Sequence, residues 1–328
     1  MARRKKLRVA FVGCGGIAGR HASALLGDRR VEITQLVDTS AKSLARFKER
    51  FPDLADVPEC ADYRAVLGEV DAVSINTPHT LHFRQVMDSL DRGLHVLCEK
   101  PLACTAVRAK QIVEKVRRTR RKLQIAYQRR ARPQFGYVRE QIRSGKIGRL
   151  CYVSVTLCQP WLTTQKGAWR QDPALSGGGQ LNDSGSHIMD SLQWFVGRAP
   201  RCVSSFSHNR GTRVDIDSTL QIEFAQGVLA SVAIIATAMP FDERWIIAGS
   251  KATLIVEGGV LKRVVDEYGS AVEVKVPKRK ELDITTNWVD AIYGKAKLLS
   301  PARGVLDVVR ITDAAWKSAA RGGRPVKL

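Results

Sequence analysis

The sequence predicts an α/β protein: an N-terminal doubly wound parallel sheet, then a C-terminal α+β domain whose sheet is mostly antiparallel. Three observations predict it. Short apolar runs alternate with helical stretches from residue 7 to residue 127. A glycine-rich turn follows the first run directly. Beyond residue 200, strand-like segments succeed one another with only short turns between them.

Residues 7–12 suit a buried parallel strand. They run into Gly13-Cys14-Gly15-Gly16-Ile17-Ala18, a GxGxxA turn, with a helix over 17–26. A second strand, 31–37, ends at Asp38, which stands 20 residues after Ala18. This is the context of a dinucleotide-binding (Rossmann) fingerprint. Gly13 permits the tight turn. Gly15 and Gly16 let the backbone approach a pyrophosphate, and Ala18 lets the helix pack close to the strand. The helix N-terminus, at Ile17, offers free N–H groups and a positive dipole. Asp38 would accept bonds from the adenosine ribose and repel a 2′-phosphate, so NAD is favoured and NADP remains possible.

The alternation continues with a strand at 70–75 ending in Asn76-Thr77-Pro78, a helix at 81–90 and a strand at 94–98 ending in Glu99-Lys100-Pro101. A helix from Thr105 to Arg121 and a strand at 123–127 follow. Gly15, Asp38, Thr77 and Lys100 all fall at strand ends, where ligands of such sheets bind. The expected division is residues 1–128 and 129–328, with the last residues packing back on the first domain. In the second domain we expect a helix at 134–144, a strand at 149–159, a long loop at 161–180 and a helix from about 183 to 196. Strands are expected at 202–207, 218–224, 228–237, 244–249, 253–257 and 272–276, with Gln226-Gly227 as a hairpin turn. Helices at 287–293 and 304–320 close the chain.

Composition narrows the classes. The 328 residues suffice for two cores, and 44% apolar with 26% charged residues argues against disorder. No apolar run reaches the roughly 18 residues of a spanning helix. The start, MARRKK then LRVAFVGCGG, has the outline of a leader ending at Cys14, but Arg8 interrupts a short apolar stretch. Seven cysteines without a CxxC pair suggest reduced thiols, a cytoplasmic protein and no metal. The net charge of +21 raises nucleic acid as a partner. The cations gather at 3–6, 117–122, at Arg129, Arg130 and Arg132, and at 278–280, without a nucleic-acid-binding motif. A basic, solubilising surface and no specific nucleic acid is the plainer reading.

Asn76-Thr77-Pro78, His82, Gly93-Leu94-His95-Val96 and Glu99-Lys100-Pro101 together resemble the glucose-fructose oxidoreductase/inositol dehydrogenase/MocA family. Ala168-Trp169-Arg170 and the segment from Gly177 to His187 resemble that family's WR and GGG-x-L-x-D-x-G-x-H segments. The resemblance runs from Leu7 to the C-terminus. It implies an open second sheet used for subunit pairing, hence a homo-oligomer (dimer or tetramer), and no membrane. It implies hydride transfer between nicotinamide C4 and a secondary alcohol or ketone carbon of a small sugar, cyclitol or derivative.

Such chemistry needs a base for the hydroxyl proton and a donor or cation for the developing alkoxide. Lys100 is the candidate for steadying the oxygen, a role in which the resemblance also places it. His187 is the candidate proton carrier, since histidine titrates near working pH. Asp183 lies four residues earlier, on the same helical face, and would orient the histidine, the lysine or a substrate hydroxyl. Read alone, Asp183 is more simply a helix N-cap and His187 a packed core residue. Thr77, Pro78, His82, Glu99 and Arg170 are expected near the cofactor, with His82 and Glu99, which match the family pattern, touching the nicotinamide ribose or bracing the site. Tyr127, Arg129, Gln159 and Trp161 are expected to wall the substrate pocket, with Lys100, Asp183 and His187 touching substrate. His21, His79, His95 and His208 show no ligand spacing and read as structural or surface residues. Other classes stay open: a non-catalytic dinucleotide-binding regulator, a nucleic-acid binder, or a dehydrogenase for a nonsugar substrate such as a dihydrodiol or a bilin.

Overall fold

The first sheet starts with β1 (Leu7–Val12), whose side chains are almost all buried, as a strand covered on both faces requires. The computed structural model describes residues 5–267, 269–278 and 282–328. The basic positions Arg3, Arg4, Arg279 and Lys280 lie outside the described residues. Next come α1 (Ala18–Leu26), β2 (Val31–Val37), α2 (Ala41–Arg50), β3 (Glu59–Cys60), β4 (Ala72–Ile75), α3 (His82–Asp91), β5 (His95–Cys98), α4 (Ala106–Thr119) and β6 (Leu123–Ile125). The strands pair all parallel in the order β3-β2-β1-β4-β5-β6, so the chain reverses direction across the sheet between β1 and β4. α1 buries Ala18, His21, Ala22 and Leu25, a stripe spaced three to four residues apart.

The second sheet is built from longer strands. After α5 (Pro133–Arg143) come β7 (Leu150–Cys158), the short helices α6 (Trp161–Thr164) and α7 (Pro173–Ser176), and α8 (Ser184–Val196). Then follow β8 (Pro200–His208), β9 (Asp217–Phe224), β10 (Leu229–Ile235), β11 (Asp242–Gly249), β12 (Thr253–Glu257), β13 (Val260–Val264) and β14 (Val272–Glu273). The chain ends in α9 (Ile284–Ile292), α10 (Leu306–Ala319) and β15 (Val326–Lys327). The strand order is β14-β13-β12-β11-β7-β10-β9-β8-β15, with β7 and β10 the one parallel pair among the described strands of this second sheet. Burial alternates along β9 and β10, the period-2 mark of a sheet covered on one face. Phe135 of α5, Phe195 of α8 and Trp245 of β11 meet with ring centroids 5.5–6.3 Å apart, beneath that face. The hairpin turn falls where expected, with Gln226 and Gly227 both at positive φ (65° and 73°).

The division into two units departs from a single cut at residue 128. One unit holds Met1–Ala103, Val107–Gln128 and Leu282–Leu306; the other holds Cys104–Ala106, Arg129–Glu281 and Asp307–Leu328. The reason for the return is apolar. Trp288 and Val289 of α9 are buried in the same core as Phe11 of β1 and Leu25 of α1. Gln124 of β6 donates to the Ile284 carbonyl and to Asn287, and Arg30 pairs with Asp290 at 2.8 Å. The last residues fall in the second unit. Val326 and Lys327 pair with β8 and extend the second sheet. The loop at 161–180 contains the helical turns α6 and α7. The helix α2, the strand β13 and the two-residue strands β3 and β15 have no counterpart in the sequence reading. All seven cysteines are free. Among the described residues, no helix is long and apolar enough to cross a membrane.

Candidate active site

In the first unit the glycine turn sits against the end of β4. Gly13 has φ +90°, and a Cβ there would stand 2.9 Å from the Asn76 backbone. Only glycine fits, by conformation and by space. The Asn76 amide donates to the Gly13 carbonyl (3.3 Å) and the Ser74 carbonyl (3.1 Å), which joins the two strand ends. Around Gly15 and Gly16 the opposite holds: a Cβ would meet nothing within 4 Å. The cradle is open where a phosphate would approach the backbone. Ile17 lies beside it, partly exposed at the N-terminus of α1. Asp38 accepts from the Cys14 N–H (2.9 Å) and from the Ser40 N–H (2.8 Å), so it braces the turn while keeping lone pairs for a diol. The residues fit a dinucleotide. Burial, with Asp38 close by, pushes the Cys14 thiol up to about 12.

The Thr77-Pro78 strand end is held by a bond from the Thr77 hydroxyl to Gln85 (2.6 Å). His82 makes the contacts of the bracing role, one of the two expected for it. It is fully buried, and its nitrogens lie 2.8 Å from the Pro101 carbonyl and 2.9 Å from the Thr77 carbonyl. It braces the backbone and presents no nitrogen to a cofactor. Burial holds its pKa below the usual value, although both carbonyls pull the other way. Glu99 is also buried. Its carboxylate accepts from His21 Nε2 (3.0 Å), from the Lys100 N–H (3.1 Å) and from Gln128 (3.4 Å). Burial alone would raise its pKa, but the His21 bond and the neighbouring charges outweigh it and hold the carboxyl below the usual range. Lys100, which follows β5, is half-buried. Tyr127 is fully buried, so it lines no open surface in this structure.

In the second unit one carboxylate collects two of the expected residues. Asp183 Oδ2 accepts from the Trp161 indole N–H at 2.8 Å and pairs with Arg170 Nε at 3.1 Å. It occupies the N-cap position of α8 but makes no side-chain cap bond. Its side chain therefore serves these partners and does not close the helix. The Arg170 guanidinium also lies over the Trp169 ring, 4.6 Å from its centroid. The Arg170 contacts seen here are to Trp169 and Asp183. Gln159 donates to the Ser184 hydroxyl (2.8 Å), and His187 stands half-buried one helical turn beyond Asp183. Arg129 corrects a further expectation. Its guanidinium makes two 2.6 Å bonds to Glu243, and burial pulls its pKa down, so it is a structural pair and not a free pocket wall.

Three groups were missed. Arg130 and Asp190 form a buried pair with contacts of 2.6–3.2 Å. Asp190 lies seven residues after Asp183 on α8, a spacing that could have pointed to it. Asp215 accepts from the N–H groups of Gly179 and Leu181 and from the Trp316 indole, at 2.8–2.9 Å, and so fixes the loop leading to Asp183. His21 joins Thr285 to Glu99, and no local signal reveals it.

Comparison with known proteins bears on both units. Residues 7–127 match the oxidoreductase family GFO_IDH_MocA, NAD-binding Rossmann fold, and residues 135–255 match the GFO/IDH/MocA C-terminal domain. The chain belongs to this family. Among relatives, the rhizopine catabolism protein MocA of Rhizobium meliloti is 32% identical over 199 residues, 60% of this chain and 59% of that protein. An inositol 2-dehydrogenase of Pseudarthrobacter chlorophenolicus is 26% identical over 307 residues, 87% and 85% of the two chains. The chain spans 36–59% of the length of four of the curated relatives it matches. Among solved structures, the aldose-aldose oxidoreductase from Caulobacter crescentus has the same fold, with TM-score 0.85 and 21% identity over 99% of this chain and 100% of that one. Residues 7–127 of the first unit are thus the NAD-binding Rossmann domain of the GFO/IDH/MocA family.

Proposed function

We propose that this GFO/IDH/MocA protein is an NAD-dependent oxidoreductase acting on a secondary alcohol, or the matching ketone, of a sugar, cyclitol or derivative. The single observation that carries the reading is the open Gly15-Gly16 cradle braced by Asp38 within a family NAD-binding domain. Gly13, Gly15, Gly16, Ile17, Asp38, Thr77, Pro78 and Glu99 are the residues we assign to holding or framing NAD. A bound nicotinamide supplies hydride acceptance or donation. The chain's own residues supply the rest. Lys100 steadies the substrate oxygen through its ammonium. His187 takes the hydroxyl proton in oxidation and returns it in reduction. Asp183, fixed by Trp161 and Arg170, orients these groups and binds a substrate hydroxyl.

The substrate class is supported by the relatives' names, which include inositol 2-dehydrogenase and D-glucoside 3-dehydrogenase. Exposed Phe206 and Leu229 on the uncovered side of the second sheet support subunit pairing there. Free cysteines support a reducing cytoplasm. The test is binding of NADH and NADPH, followed by fluorescence and calorimetry, for wild type and Asp38→Ala. NADH should bind more tightly than NADPH, and the variant should weaken NADH about tenfold, the loss of one charge-assisted bond. The bound enzyme is then screened with polyols and keto-sugars by absorbance of the reduced nicotinamide. Failure to bind either nucleotide sinks the proposal.

A further inference from the structure

Four residues from three distant stretches of the first unit form one hydrogen-bonded chain. Thr285 Oγ1 lies 2.7 Å from His21 Nδ1, and His21 Nε2 lies 3.0 Å from Glu99 Oε1. The other Glu99 oxygen accepts the Lys100 backbone N–H at 3.1 Å. His21 and Glu99 have side-chain exposures of 0% and 6%. An ionised carboxylate only accepts, so Nε2 carries a proton toward Glu99. Every atom is satisfied when Nδ1 accepts from the Thr285 hydroxyl. The Thr285 and His21 donors then point one way, from α9 through α1 to Glu99, and the Lys100 N–H meets the same carboxylate from the other side. The same α1 carries the glycine cradle at its N-terminus.

We infer that His21, oriented by Thr285, is a positioning residue for Lys100: it fixes the Glu99 carboxylate that holds the Lys100 backbone, and so ties the lysine to the helix bearing the cofactor cradle. The inference rests on the hydride-transfer reading for its effect on turnover, but its geometric content does not. Removing the partner that orients a metal-ligating side chain costs about 10–100-fold, and a loss of that order is expected for this brace. His21 touches neither substrate nor cofactor in this assignment, so the loss belongs to kcat.

Two readouts on the full chain test it. The first needs no substrate: hydrogen exchange of the Lys100 amide in wild type, His21→Leu, His21→Gln and Thr285→Val. His21→Leu should speed exchange at Lys100 about tenfold or more while amides of β1 and β4 stay unchanged, since only the local bond is released. His21→Gln carries an amide N–H at similar reach and should return Lys100 close to wild type. Thr285→Val, a near-isosteric change, should give a smaller increase and serves if His21→Leu does not fold. The second readout is NADH affinity and turnover of a polyol found by the screen. Here kcat of His21→Leu should fall about 10–100-fold, with KM and the NADH Kd within about threefold, and His21→Gln should recover most of it. Unchanged Lys100 exchange, or equal acceleration of every amide in the unit, overturns the inference. So does a loss confined to KM or to NADH binding. Wild-type chain that binds no NADH would instead overturn the dehydrogenase reading, leaving the exchange result to judge His21.

Discussion

Replacing Arg130 by Met should destabilise the second unit by about 3–5 kcal/mol, the usual cost of breaking a buried ion pair from one side. The side chains of Arg130 and Asp190 are 4% and 0% exposed, and the guanidinium makes three contacts of 2.6, 3.0 and 3.2 Å to the carboxylate. The variant leaves a buried carboxylate without its cation. Burial pushes the Asp190 carboxyl up, and Arg130 is the main force pulling it down. Without Arg130 its folded pKa rises further above the unfolded value of about 3.9. The folded state then binds more protons than the unfolded state over that window, so stability falls as pH rises through it. The deficit should therefore be largest at pH 8 and shrink toward pH 5. Urea unfolding followed by tryptophan fluorescence reads it, since Trp161, Trp169, Trp194, Trp245 and Trp316 lie in the second unit. With a slope of about 2 kcal/mol/M, the midpoint should drop by about 1.5–2.5 M. Arg130→Met/Asp190→Leu should recover most of the loss, because an apolar pair replaces the ions. A loss below about 1 kcal/mol at pH 8, or a double variant no better than the single one, would refute the reasoning.

Gly13→Ala should weaken NADH binding at least about tenfold and lower Tm, because the new Cβ meets the Asn76 backbone at positive φ; titration and thermal unfolding check this. Trp161→Phe removes the indole donor to Asp183 and should lower turnover about tenfold, in line with about 1.5–3 kcal/mol for a bond to a charged group, as steady-state kinetics would show. Glu99 has a lowered folded pKa, so its stabilisation is present above its ordinary value of 4.5 and is lost as pH falls through the folded value. Thermal unfolding of Glu99→Gln against wild type should show a deficit at pH 7 that closes toward pH 3. Cys14 should resist alkylation at pH 8, since its thiol is pushed up to about 12 and is buried; mass mapping after iodoacetamide treatment measures it.

The first unit was legible because its strands are short apolar runs punctuated by glycine and its cofactor residues sit at strand ends. Helix α2 was not, because only Leu44 and Phe47 of its ten residues are buried, too few to show a stripe. The return of α9 was not, because burial of Trp288 against β1 and α1 leaves no mark in the local pattern. In the second unit the spacing of Asp183 and His187 was readable. The partners of neighbouring arginines were not: Arg129 turns to Glu243 and Arg130 to Asp190, a choice made by the fold. His82 read as a cofactor contact or a brace and has the contacts of a brace, whereas His21 read as a structural or surface residue and is the hub of a buried chain. Burial and long-range pairing decide both, and neither has a sequence period.

Because Leu282–Leu306 belongs to the first unit, that unit cannot be completed when residue 128 leaves the ribosome. It must wait for 178 further residues, the difference between 306 and 128. At about 5–20 residues per second this is about 9–36 s of synthesis. During that interval the seat of Trp288 beside Phe11 and Leu25 is uncovered, an apolar surface of the kind chaperones hold. A nascent chain stalled at residue 281 should therefore be more readily cut by protease within residues 7–128 than one stalled well beyond residue 306. Order along the gene and order of assembly differ in this protein, and its N-terminal half matures only with its last quarter.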